Sequence, residues 1–100
     1  MKMRSCHERT VTASPERIAA LIADFDNAWP TRIAPAPRVR GHRLYEAGVM
    51  LWKEFDRPGA VRAFRVIRLD ELQAEHWFEL KPADGATVVR HTIEGCALGR

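Results

Sequence analysis

The stretch EHWFELKPADGATVVRHTIEG, Glu75 to Gly95, consists of two alternating runs joined at Asp84-Gly85. In the first run His76, Phe78 and Leu80 share one side, while Glu75, Trp77, Glu79 and Lys81 share the other. In the second, Val89, His91 and Ile93 oppose Arg90, Thr92 and Glu94. A period of two marks a strand with one covered and one solvated face. Gly85 supplies the positive φ that a tight hairpin turn needs, so the two runs are predicted to pair as antiparallel neighbours.

Upstream, Gly41, Gly48 and Pro58-Gly59 punctuate two further runs, LYEAGVMLWKEF and AVRAFRVIRL, each the length of one strand or of one bent long strand. Pro58-Gly59 predicts another hairpin after Asp56-Arg57. At the other end His7 to Val11 predicts a strand that leads into Ser14-Pro15-Glu16, where three signals for a helix start agree. Ser14 can accept a hydrogen bond from first-turn amides, Pro15 suits the first helical position, and Glu16 favours the positive end of the dipole. Ile18, Leu21, Ile22 and Phe25 recur at i, i+3, i+4 and i+7 and predict the face the helix buries. Asp26-Asn27 ends that pattern, and residues 29–34 allow one short second helix before Pro35-Ala36-Pro37 forbids continuation. The expected order is strand, helix, short helix and antiparallel meander. That is α+β, with the first helix across one face of a curved sheet of about five to six strands.

One hundred residues make a single domain, residues 1–100, with one modest core. Its composition, 46% apolar and 29% charged, is that of a globular rather than a disordered chain. The net charge of +3 raises nucleic-acid binding, but the arginines are scattered and only Arg38, Arg40 and Arg43 cluster. Phosphate binding without sequence readout needs a continuous basic face, so no nucleic-acid partner is expected. No apolar stretch of signal-peptide length follows Met1-Lys2-Met3-Arg4, and nowhere do about 18 apolar residues run together, so no integral membrane association and a soluble cytoplasmic protein are expected. Cys6 and Cys96 have no CxxC spacing and read as free thiols.

The segments TASPERI (12–18), ALIADFDNAWP (20–30) and the final hairpin EHWFELKPADGATVVRHTIEG resemble the START-like helix-grip superfamily, also called SRPBCC. It includes polyketide cyclases and dehydrases, lipid-transfer domains and pollen-allergen-like proteins. The resemblance spans about residues 7 to 95 and rests on motifs that define a fold rather than a reaction. It implies a strongly bent antiparallel sheet around a long C-terminal helix, with an apolar cavity between them and with Phe25 and Trp29 at its rim. The sequence departs from that pattern after the last strand, where Gly95-Cys96-Ala97-Leu98-Gly99-Arg100 leaves the C-terminal grip helix absent.

Three functional readings follow. The first is a binding module that takes a hydrophobic or aromatic small molecule, lipid-like or polyketide-like, in an apolar cup lined by Phe25, Trp29, Trp52, Phe64, His76, Phe78 and His91, with no cofactor. The second is a cyclase or dehydrase enzyme in which His76 or His91 moves a proton. The third is a protein-interaction module, because alternation places the large apolar Trp77 on the outer face. His7, His42, His76 and His91 have no spacing that forces convergence, so no metal site is expected. Glu46, Glu54, Glu75 and Glu79 share no common site and are assigned to solvent. Without a C-terminal helix the apolar face is expected to stay partly uncovered, so one of two outcomes is expected: a homodimer through that face, or a truncated family member whose cup stands open and binds its ligand weakly.

Overall fold

The computed structural model describes residues 2–24 and 37–96. It corrects the expected α+β helix-grip architecture: the described residues are mostly sheet, 65% strand and 11% helix, and among them there is one helix and one seven-stranded antiparallel sheet. In chain order these are β1 (Lys2–Val11), α1 (Pro15–Ala23), β2 (Arg38–Gly41), β3 (Leu44–Ala47), β4 (Met50–Phe55), β5 (Arg62–Arg68), β6 (Glu71–Ala83) and β7 (Ala86–Cys96). The spatial order is β1-β7-β6-β5-β4-β3-β2. Strands β2 to β7 therefore form a continuous meander, and the N-terminal strand returns to pair with the last one.

The strand count exceeds expectation because LYEAGVMLWKEF is a hairpin and not one bent strand, and because Arg38–Gly41 forms a further short strand. Gly48 adopts φ +63° between β3 and β4, and Ala47 pairs with Met50 around it. Asp84-Gly85 joins β6 to β7 with Gly85 at φ +63° and Ala83 opposite Ala86. Pro58-Gly59 lies inside a wider connection, since β4 ends at Phe55 and β5 begins at Arg62. The turn from β5 to β6 has no glycine: Leu69 and Asp70 both adopt positive φ, 52° and 63°. The short second helix proposed for residues 29–34 lies outside the described residues.

Helix α1 starts as the sequence predicts, with the Arg17 amide donating to Ser14 Oγ at 3.2 Å and Pro15 in the first turn. Its buried face is rotated from the predicted one. Ile18 is buried, Pro15, Ala19 and Ile22 are half-buried, and Leu21 is 48% exposed. The small side chain of Ala19 replaces Leu21 in the stripe, so the contact face runs through positions i, i+3, i+4 and i+7 counted from Pro15.

Two bonds fix the helix to one face of the sheet. The Thr87 hydroxyl donates to the Ala13 carbonyl at 2.7 Å, and Arg62 Nη1 donates to the Ile22 carbonyl at 2.9 Å. Register shows which residues share that face. Arg62 opposes Phe78, Phe64 opposes His76 and Glu54, and Val66 opposes Trp52. Phe78 opposes His91, and Leu80 opposes Val89. On the outer face Trp77 is only 1% exposed, between Ala63 and Thr92. The Arg57 guanidinium stacks over its ring at 3.6 Å, and Arg4 of β1 approaches to 5.9 Å. Trp77 is thus covered by its own chain, which removes the support for a partner that buries it.

Candidate functional site

On the helix-side face β4 to β7 bring five rings together. Phe64 stacks on His76 with centroids 5.1 Å apart and planes inclined by 24°. Phe78 stacks on His91 at 4.4 Å and 18°. Trp52 meets His76 edge to face at 4.6 Å. The two imidazoles join these stacks, His76 Nδ1 lying 3.1 Å from His91 Nε2. His91 stands directly opposite Phe78 and His76 opposite Ile93, so the histidine contact runs diagonally across the β6–β7 ladder.

Burial decides the charge state of the pair. His76 is 7% exposed, and desolvation followed by the field of His91 lowers its pKa to about 4 from the ordinary 6.5. His91 is lowered as well, first by burial and then by His7, its cross-strand neighbour on β1. At neutral pH the pair is therefore two neutral imidazoles sharing one hydrogen bond. Each neutral ring has one donor and one acceptor nitrogen. His76 Nε2 is buried with no hydrogen-bond partner among the described residues. An unsatisfied buried polar atom costs about 1 to 3 kcal/mol, so its persistence calls for an explanation.

Beside the rings lies a polar cluster that the sequence assignment of Glu54 to solvent missed. Arg62 Nε donates to Glu54 Oε2 at 3.3 Å, and its Nη2 donates to the Tyr45 hydroxyl at 2.9 Å. The Tyr45 hydroxyl donates in turn to Glu54 Oε1 at 2.9 Å. Side-chain exposure is 9% for Arg62 and 18% for Glu54, which makes this a largely buried ion pair. Burial raises the Tyr45 pKa and the bond to Glu54 raises it further, against the lowering effect of Arg62. The phenol stays protonated and remains the donor. Arg62 also lies 4.8 Å from the Phe64 ring centroid and so links the polar cluster to the aromatic one. The signal in the sequence was parity: Glu54 shares a side with Trp52, and Arg62 shares a side with Phe64.

Of the residues proposed as ligand-binding from sequence, the sheet gathers Trp52, Phe64, His76, Phe78 and His91 on one face. Phe25 and Trp29 lie outside the described residues. Among the described residues no three histidine, cysteine, aspartate or glutamate side chains converge as a metal site. No described helix is long and apolar enough to cross a membrane. Comparison with protein-family models finds no match, and comparisons with curated proteins and with solved structures likewise find none.

Proposed function

We propose that the protein binds a small aromatic or hydrophobic molecule on the helix side of its sheet, over the half-buried rings of Phe78, His91 and Trp52, which pack around the buried His76. The supporting observation is the ring cluster itself, which joins stacked aromatic faces to a buried imidazole nitrogen that has no partner among the described residues. Binding sites of this kind combine broad apolar contact with a few polar atoms that set orientation. A flat ligand with one hydroxyl or carbonyl group fits that chemistry: its ring extends the stacks, and its polar atom pairs with an imidazole. Half-buried Leu80 and Val89 continue the apolar surface beside Phe78 and His91.

The histidines support binding more than proton transfer. A general acid or base works best with a pKa near the operating pH, and His76 lies well below neutrality. Titration with an anilinonaphthalene sulfonate dye, followed by fluorescence, tests the proposal. Saturation at one dye per chain is expected, with affinity at least about tenfold weaker in Phe78→Ala at unchanged far-ultraviolet circular dichroism. Dye binding that never saturates, or that is equal in the folded variant, overturns it.

A further inference from the structure

Strand β1 ends the sheet. Its ten residues pair with β7 from Lys2↔Cys96 to Val11↔Thr87, and residues 3–10 are all exposed. The side away from β7 carries a row of backbone donors and acceptors that no described strand pairs. Such an edge is a template for another strand. The opposite edge, β2, is four residues long and carries Arg38 and Arg40 on either side of Val39. Two copies of β2 laid antiparallel would set these arginines against each other.

We infer that β1 pairs antiparallel with the β1 of a second copy, about a two-fold axis through Cys6, so that one sheet runs through both chains. The pleat restricts the register. Bringing two β1 edges together antiparallel keeps the helix-side faces of both copies on the same side, so opposing residues must share parity. The long registers left are those centred on Ser5, Cys6 or His7. Centring on Ser5 shortens the overlap and sets Arg4 against Cys6. Centring on His7 sets Cys6 against Glu8. Centring on Cys6 sets Arg4 against the second copy's Glu8, twice by symmetry, and Ser5 against the second copy's His7. Within each chain Glu8 already bonds Arg90 Nε at 2.6 Å, so the second copy's Arg4 would complete a charge network around that carboxylate. Opposite charges placed directly across an antiparallel pair stabilise it, whereas like charges oppose it.

Cys6 is exposed, and its sulfur accepts a bond from the Thr92 hydroxyl at 3.7 Å. On the axis each Cys6 would face its own copy, which gives two tests. Cys6→Lys and Cys6→Glu each place like charges on the axis, and each alone is expected to weaken self-association at least about tenfold by light scattering. An equimolar mixture places opposite charges there and is expected to restore the dimer, a result that requires both variants to be folded. In Cys96→Ser, diamide is expected to give a covalent dimer as two Cys6 thiols form one disulfide and diamide takes up their two protons and two electrons. A wild-type protein that stays monomeric at all concentrations overturns the inference. So does a dimer that survives in both charged variants, or a mixture that associates no better than its components.

Discussion

His76 makes the pH response of the fold predictable in sign. Its folded pKa of about 4 lies below the ordinary 6.5, so between these values the unfolded chain binds a proton that the folded chain refuses. Stability from this residue is fully present above about pH 6.5 and is lost as the pH falls toward 4, by on the order of 3 kcal/mol in total. His91, lowered in the same direction, adds to the loss. Urea titrations at intervals across this range should show the decline, and His76→Phe should flatten it. A stability that is level from pH 7 to 4 would mean that the imidazole is not held neutral by burial. Arg62 is the second decisive residue, because it neutralises Glu54 and also caps the helix carbonyl of Ile22. Removing one partner of a buried pair strands the other charge, so Arg62→Met should cost about 3 kcal/mol. Replacing both, as Arg62→Met with Glu54→Met, should cost less than the single change. A double variant weaker than the single one would show that the pair contributes more than mutual neutralisation.

Among the elements, the hairpins divide by whether glycine announces them. The turn at Asp84-Gly85 was legible because an aspartate-glycine step between alternating runs has one common backbone solution. The turn at Leu69-Asp70 was not, since a leucine 87% exposed at φ 52° goes against every local preference. It holds because Arg68 pairs with Glu71 and the long β5–β6 ladder imposes the geometry. This stored strain gives a prediction: Leu69→Asn with Asp70→Gly should stabilise the protein by about 1 to 2 kcal/mol. Thermal melting reads the gain, and an unchanged midpoint would exclude left-handed backbone at both positions. Helix α1 shows the same division, for Ser14 and Pro15 mark its start unambiguously while Leu21 and Ala19 exchange roles on its face. Local chemistry fixes where the helix begins, but the rotation depends on what it packs against. The site was half legible for a related reason. Alternation put His76, Phe78 and His91 on one side, whereas the diagonal contact between the histidines depends on cross-strand register, which no single strand contains. The Arg62–Glu54–Tyr45 cluster escaped notice because charged residues are ordinarily solvated.

For the molecule as a whole, the β1–β7 ladder is the closure of the fold. Strands β2 to β7 pair with neighbours in sequence, but β1 must find a partner at the far end of the chain. Among the described residues the buried apolar side chains include Ile18, Ala63, Phe64 and Trp77, and hydrogen-bonded strand pairing organises the sheet around them. Until β1 docks, Thr87 and Thr92, both fully buried, lack their bonds to Ala13 and Cys6. Loop closure of this length is the slow, entropically costly step in assembling such a sheet. A covalent link across the ladder should therefore act mainly on the unfolded state. Thr10 opposes Val88, and joining them through Thr10→Cys and Val88→Cys closes a loop of roughly 80 residues, for which chain entropy predicts a gain on the order of 4 kcal/mol. With Cys6→Ser and Cys96→Ser to prevent other pairings, the oxidised protein should melt well above its own reduced form. If the disulfide fails to form under mild oxidation, the register of β1 on β7 is wrong. If it forms and the two states melt together, the strand is docked already in the unfolded ensemble and closure is not what limits stability.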